Sequence, residues 1–130
     1  MTDVAQAKHH RWQDVPLDQL SPTIGRQIIT TDRVTLAQFH LAAGAPVATH
    51  AHEAEQLTYI VEGCLRLWIG DDESQVVDVR AGEVLQIPPN VPHRAEAIEQ
   101  TFAVDVFCPA RLDWLDGSDA YLRGEPASGR

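Results

Sequence analysis

The sequence contains no run of about 18–20 apolar residues, which is the length that a membrane-spanning helix needs, and it has only two cysteines in 130 residues. Residues 1–15 also lack the apolar centre of a secretory signal. Cys64 and Cys108 are too few for a disulfide framework, so we expect two thiols rather than a bridge. With 44% apolar and 22% charged residues, the composition is that of an ordinary globular protein. We therefore expect one soluble, cytoplasmic domain over residues 1–130 that has no contact with a membrane.

Basic residues are also scarce in this chain. Ten Lys and Arg, scattered along the sequence, stand against 19 Asp and Glu, and the formal net charge is −9. A surface that binds nucleic acid needs clustered positive charge to neutralise phosphates. We expect no nucleic-acid partner.

From Gly25 onward, the chain consists of short runs of β-branched or alternating apolar residues. The runs are RQIITT, VTLAQFHL, EQLTYIVE, CLRLWI, QVVDV, EVLQI and QTFAVDVF, and Gly, Pro, Asn and Asp residues separate them. Seven strands at such close spacing predict an all-β sandwich or barrel over residues 25–110. We expect residues 1–23 to form an N-terminal arm along an edge of this body. Residues 111–130 are predicted to form a short C-terminal helix, with Leu112 and Leu115 at helical spacing and a stop at Gly117, followed by a polar tail.

Two segments carry residues that can bind a metal. In GAPVATHAHEAEQLTYIVEG, residues 44–63, His50 and His52 are two apart, so both imidazoles leave the same face of an extended strand. Gln56 follows in even register, although the residues between could loop out. In GEVLQIPPNVPH, residues 82–93, a strand and a proline turn lead to His93. Three imidazoles and an amide oxygen suit one divalent transition metal ion (Zn, Ni, Fe, Mn or Co) better than Ca or Mg.

The spacing of these residues, together with their glycines and proline, resembles the two signature motifs of the cupins. The matching positions are Gly44, His50, His52, Gln56 and Gly63 in the first motif, and Gly82, Pro88 and His93 in the second. The resemblance implies a double-stranded β-helix, or jelly-roll barrel, with the metal inside. Gln56 stands where most cupins have Glu, and Asn90 stands where Gly is usual. A neutral amide leaves more positive charge on the ion, which makes it a stronger Lewis acid.

A third segment, DVFCPARLDWL at residues 105–115, narrows the resemblance to the KdgF-type cupins of pectin and alginate breakdown. These enzymes linearise 4,5-unsaturated monouronates to open-chain keto-uronates. The resemblance implies that Asp105, Phe107 and Arg111 complete a catalytic pocket beside the metal ligands. Asp105 would move a proton during ring opening, and Arg111 would hold the carboxylate of a small acidic substrate.

The residues themselves leave several alternatives open. Ala103, Asp105 and Phe107 share one face of their strand, but Asp105 could instead cap a turn or pair with Arg111 at the barrel rim. His40 could face the metal or the solvent. A three-histidine centre also fits an Fe-dependent dioxygenase, or a non-catalytic cupin that senses or binds a small ligand. Because exposed strand edges need cover and small cupins commonly pair, we expect a homodimer.

Overall fold

The computed structural model describes residues 5–115 and 119–123, and these residues form ten β-strands and three short 3-10 helices. The strands are β1 Asp18–Ser21, β2 Ile24–Thr30, β3 Thr35–Leu41, β4 Pro46–His50, β5 Glu55–Glu62, β6 Cys64–Ile69, β7 Gln75–Arg80, β8 Val84–Ile87, β9 His93–Ala97 and β10 Thr101–Cys108. The 3-10 helices are Trp12–Asp14, Leu112–Leu115 and Ala120–Arg123. Within the described ranges, no helix has the length and apolar character needed to cross a membrane.

The strands form two sheets that pack face to face. One has the order β1-β2-β3-β10-β5-β8 and the other has the order β4-β9-β6-β7. Strands that pair are antiparallel, including β10 with both β3 and β5. Neighbours that are distant in sequence, such as β3 and β10, are typical of a jelly roll, in which strands close over one another between two sheets. The predicted all-β jelly-roll fold is confirmed.

The core lies between the two sheets and takes alternate residues from each strand. On β10, Ala103, Asp105 and Phe107 are buried, whereas the residues between them are only half-buried. Leu65 and Leu67 of β6 belong to the same apolar core from the other sheet. Because successive side chains of a strand point to opposite faces, the face of β10 that carries the carboxylate is the interior face. This register brings Asp105 into the barrel.

The described residues before β2 and after β10 pack on the body of the barrel. Strand β1 pairs with β2 at the edge of the six-stranded sheet, and after β10 the described residues form two 3-10 helices. Leu112 and Leu115, which lie at helical spacing in the sequence, are both exposed, while Trp114 between them is buried. A 3-10 helix has three residues per turn. Its buried side therefore carries different residues from those that α-helical spacing indicates. The predicted stop at Gly117 and residues 124–130 lie outside the described residues.

Both cysteines are free thiols, as expected. Cys64 is buried at the start of β6, and its burial raises the pKa of the thiol. Cys108 is exposed at the end of β10. The fold therefore depends on packing and not on a covalent cross-link between these two positions.

The turn between β5 and β6 depends on Gly63. Its φ is +93°, and a Cβ at this position would lie 2.8 Å from the Cα of Thr101. We expect Gly63→Ala to lower the free energy of unfolding by about 2 kcal/mol or more, because the side chain would meet both backbone strain and fixed backbone atoms. Urea denaturation measures this loss. Gly44→Ala is the matched control: Gly44 also has a positive φ, but no atom lies within 4 Å of an added Cβ, so an equal loss in both variants would contradict the proposed close approach.

Candidate metal centre

Three histidines meet at one end of the barrel. His50 ends β4 and His93 begins β9, and the two residues are direct partners in the antiparallel pairing of these strands. His52 joins them from the loop after β4, and one ring nitrogen of each histidine lies within 4.8 Å of the others. The three histidines that the sequence singled out come together, but the geometric reason given for His52 was incomplete. Because β4 ends at His50, the loop and not strand alternation brings His52 to the cluster.

Each imidazole is held in place by a backbone carbonyl close to it in sequence. Since a carbonyl oxygen only accepts hydrogen bonds, the Nδ1 atom that contacts it must carry the proton. The other ring nitrogen, Nε2, then has a free lone pair, which is the form that binds a metal. The Nδ1 atoms of His50, His52 and His93 donate to the carbonyls of Ala48 at 2.8 Å, Ala54 at 2.8 Å and Val91 at 2.9 Å, respectively.

One nitrogen atom of the cluster has no partner among the described residues. The Nε2 atom of His93 is buried and has no hydrogen-bond partner among the described residues, which costs about 1–3 kcal/mol when nothing compensates. A divalent transition metal ion bound by the Nε2 atoms would satisfy this lone pair. The donor set therefore fits such an ion.

Burial also keeps the imidazoles neutral, as metal ligands must be. Desolvation lowers the pKa of His50 to about 3, with a further decrease from the neighbouring His93. Desolvation and the charge of Arg111 lower the pKa of His52 to about 4. The pKa of His93 is lowered for the same two reasons, mainly by burial. All three rings are thus uncharged near neutral pH.

Gln56, on β5 of the other sheet, offers a fourth atom that could bind the metal. Its Nε2 atom donates to the hydroxyl of Thr58 at 2.8 Å, which leaves the amide oxygen directed at the histidines. This Oε1 atom lies 3.1 Å from Nε2 of His52. Because the proton of His52 is on Nδ1, both atoms are acceptors, and two acceptors this close favour a shared cation. The structure thus brings together the predicted set of three histidines and Gln56.

Asp105 lies next to Gln56 on the interior face of β10. Its Oδ2 is 3.5 Å from Nε2 of Gln56, and its Oδ1 is buried without a hydrogen-bond partner. Burial raises the pKa of this carboxyl group to about 7, and the Thr58 hydroxyl and the Arg111 guanidinium act in the opposite direction. Phe107, two residues further along the same face, places its ring edge-on to His52 with 5.7 Å between the ring centroids.

Arg111 is buried just outside the cluster and pairs with Asp113. Its Nε and Nη2 atoms donate to the two oxygens of Asp113 at 2.9 and 2.8 Å, so no ion pair joins it to Asp105. The guanidinium carbon lies 4.4 Å from the ring centroid of Trp114 and 5.1 Å from that of Phe107. The Nη1 atom is buried and has no partner among the described residues. Asp113 thus occupies the edge of the guanidinium formed by Nε and Nη2, while the hydrogen-bonding capacity of Nη1 is unused.

The cluster opens onto a small interior cavity of about 60 Å³. Its polar lining comes from both sheets, whereas its remaining walls are mostly apolar. A space of this size holds a few water molecules. The polar lining residues are His50, Gln56, Thr58, His93 and Asp105.

Sequence reasoning missed Tyr121. Its ring stacks on His50 with 4.0 Å between the ring centroids, and its hydroxyl accepts hydrogen bonds from Nη2 of Arg111 at 2.9 Å and Nε1 of Trp114 at 3.1 Å. The tail containing it was interpreted as polar, although the adjacent Tyr121 and Leu122 were a signal for a buried anchor. His40, in contrast, is exposed and points away from the cluster, where it stacks on Phe102 with 5.0 Å between the ring centroids.

Comparison with known families agrees with this geometry. A family model described as "Cupin domain" matches residues 37–108, which contain all four proposed donors. The chain belongs to the cupin family. In this family context, the three histidines are a group that could bind a metal ion.

This cupin is similar in sequence to a curated enzyme and in structure to several solved proteins. A 3-hydroxyanthranilate 3,4-dioxygenase of Xanthomonas campestris is 30% identical over 88 residues, which cover 65% of this chain and 48% of the relative. The chain thus spans about half the length of the curated relatives it matches. Among solved structures, KdgF from Halomonas sp. superposes with a TM-score of 0.76 at 22% identity, covering 84% of this chain and 99% of the other. An RmlC-like cupin from Shewanella frigidimarina gives a TM-score of 0.75 at 24% identity, with coverage of 84% and 97%. At these identities, the structural matches show the fold.

Proposed function

We propose that this cupin is a metal-dependent isomerase that opens the ring of a 4,5-unsaturated monouronate to give an open-chain keto-uronate. The observation that carries the proposal is the carboxyl group of Asp105, which lines the same cavity as His50, His93 and Gln56 and has an oxygen without a hydrogen-bond partner. A proton-transfer group next to a metal centre is what a redox-neutral ring opening requires. The sequence resemblance to KdgF-type cupins supplies the substrate class.

The residues take distinct roles in this reaction. His50, His52, His93 and Gln56 hold the ion, which when bound supplies Lewis-acid polarisation of a substrate oxygen. Asp105 accepts the proton of the anomeric hydroxyl as the bond between C1 and the ring oxygen breaks, which gives an aldehyde at C1 and an enolate at C5. Return of this proton from Asp105 to C4 gives the 5-keto product, so that atoms and electrons balance without an oxidant. Arg111 orients the substrate carboxylate.

The test combines metal analysis with an assay on unsaturated galacturonate and mannuronate monomers. The 5-keto product lacks the alkene of the substrate, so the loss of the alkene absorbance reports the complete reaction, and the spontaneous rate and chelator-treated protein are the controls. We expect the metal-loaded protein to accelerate the reaction over both controls. Bound metal without acceleration would refute the proposed reaction, and protein that takes up no metal would refute the site itself.

The similarity to the Xanthomonas dioxygenase supports a second candidate, an Fe-dependent oxygenase. Its three-histidine centre would resemble the present one, but it would consume oxygen. Oxygen uptake by the Fe(II)-loaded protein with an aromatic substrate such as 3-hydroxyanthranilate would favour this candidate over the isomerase. A third possibility is a non-catalytic cupin, which would bind an acidic ligand and turn over nothing.

We also propose that the protein is a homodimer that pairs through the outer face of the six-stranded sheet. Leu57, Tyr59 and Val84 are each more than 40% exposed on this face, and Tyr59 and Val84 are direct partners in the pairing of β5 and β8. The other strand partners of Leu57 and Tyr59 are uncharged. On β10, Val106 pairs with Leu57 and Val104 pairs with Tyr59, and on β8, Gln86 pairs with Leu57. On a chain with a net charge of −9, a mostly apolar face with the charged Glu55 at its margin is where two identical copies can meet with little repulsion.

A charge in this face should separate the two copies. We expect Tyr59→Glu to reduce the mass in solution from that of a dimer to that of a monomer, measured by size-exclusion chromatography with light scattering. Val76→Glu is the control, because Val76 is 52% exposed but lies on β7 of the other sheet. A dimer that persists in Tyr59→Glu, or that dissociates equally in Val76→Glu, would place the interface elsewhere.

A further inference from the structure

Tyr121 occupies part of Arg111 that a ligand could use. A guanidinium group has two edges that can each bind a carboxylate through two parallel N–H groups. The edge formed by Nε and Nη2 already binds Asp113, and on the other edge Nη2 also donates to the Tyr121 hydroxyl while Nη1 has no partner. On this edge, the Tyr121 hydroxyl oxygen thus occupies one of the two positions that the oxygens of a carboxylate would take.

We propose that residues 119–123 form a cover over the metal centre which an acidic ligand displaces, because the Tyr121 hydroxyl holds the edge of Arg111 that the carboxylate of the ligand would take. This inference rests on the proposed function in one respect, namely that the ligand is a small acid. It adds that residues 119–123 control access to the site on the side of His50.

The contacts of the segment show which side of the metal centre it covers. The ring of Tyr121 stacks on His50, and Leu122 lines the interior cavity beside Trp114. The cavity of about 60 Å³ is far below the roughly 300–1,000 Å³ of typical small-molecule sites. A six-carbon sugar acid does not fit this space. Removal of Tyr121 and Leu122 from their places would expose one side of His50 and enlarge the cavity at the same end of the barrel.

The segment is anchored at its base by a closed ring of four charged side chains. Asp119 accepts from Arg26 at 3.1 Å and from Arg123 at 3.0 Å, and Asp18 accepts from the same two arginines at 3.2 Å each. Asp119 and Arg26 are buried, whereas Asp18 is 48% and Arg123 is 35% exposed. Of the two links that join the segment to β1 and β2, Arg123–Asp18 is open to water and salt and is therefore weak, whereas Asp119–Arg26 is a buried pair, whose loss should loosen the segment most. The ring does not touch the histidines, so it can be altered without changing the metal ligands.

The first experiment measures access to the metal centre without using any sugar. The protein is loaded with Co(II), whose visible spectrum reports its ligands, and is titrated with thiocyanate. We expect Asp119→Asn to lower the thiocyanate concentration for half-saturation at least fivefold, and Arg123→Gln to lower it by a smaller factor. Asp78→Asn is the matched control, because it breaks the Arg66–Asp78 ion pair of β6 and β7, away from the cover. Wild-type half-saturation in both ring variants would overturn the proposal.

The second experiment tests what the Tyr121 hydroxyl does. Tyr121→Phe keeps the ring on His50 but frees Arg111, so we expect galacturonate to bind about threefold or more tightly than to the wild type, by calorimetry on the metal-loaded protein. Galactose, which lacks the carboxylate, should show no such gain, and Tyr59→Phe, at the exposed tyrosine, is the control. Weaker, unchanged or absent galacturonate binding in Tyr121→Phe would overturn the role of the hydroxyl as a competitor. The protein could be inactive in the ring-opening assay and still show both the thiocyanate and the galacturonate effects. That result would refute the proposed reaction but not the proposed cover.

Discussion

His93→Ala is expected to lower the affinity for Zn(II) by more than about 100-fold, which exceeds the loss that outer partners of a metal ligand produce. The substitution removes the buried Nε2 atom that has no other partner in the described residues. The proposed site then lacks the imidazole that pairs with His50 across β4 and β9. Competition with a chromophoric chelator measures the affinity. The thermal stabilisation by added metal should be lost with it, since ligand at 100 times Kd contributes about 2.7 kcal/mol.

His40→Ala is the control for this experiment. His40 is exposed on β3 and contacts Gln27 and Phe102 away from the cluster, so its loss should leave the Zn(II) affinity unchanged. If His93→Ala binds Zn(II) as tightly as the wild type, the three-histidine centre is not the metal site. An equal loss in both variants would indicate a general effect on the fold.

Asp105→Asn is expected to reduce turnover of unsaturated monouronates by about 10²–10⁴-fold, the range that a positioned proton-transfer group contributes. The amide has nearly the same shape as the carboxyl group and can still lie beside Gln56, but it cannot accept and return a proton. The fold and the metal content should therefore remain. Steady-state kinetics on the metal-loaded protein give kcat, and elemental analysis of the same sample gives the metal content.

Glu55→Gln makes the same chemical change at a surface position. Glu55 is exposed at the start of β5 and accepts a hydrogen bond from Gln86, and we expect its replacement to leave kcat unchanged. Full turnover by Asp105→Asn with its metal in place would remove Asp105 from the mechanism. Loss of metal from Asp105→Asn would instead assign the carboxylate a role in holding the site together.

The strands that the sequence predicted are those with β-branched or alternating apolar residues. All seven runs correspond to strands, from β2 to β10, but β1, β4 and β9 were not predicted. β9 reads HRAEA, which contains no β-branched residue, and its extended form follows from pairing with β4 and β6. β1 is a polar edge strand. Strand formation at such positions is decided by tertiary pairing, which local sequence does not encode.

The candidate site was predictable where ligand chemistry has a fixed spacing, and less so where it depends on chain ends. His50, His52, Gln56 and His93 come together as expected. The contact of Asp113 with Arg111 and the stacking of Tyr121 on His50 were not foreseen, because both depend on how the segment after β10 folds back. No periodic pattern marks such a return, since the two 3-10 helices are only four residues each.

The placement of the donors on both sheets has a consequence for the metal-free protein. His50 ends β4, a five-residue edge strand whose pairing with β9 is irregular between Val47 and His50, whereas Gln56 belongs to β5 of the opposite sheet. An ion bound by these side chains would fasten the weak edge strand to the rest of the sandwich. Unfastened edge strands are templates for pairing with other chains. Loss of the ion would therefore promote aggregation, in addition to abolishing the proposed activity.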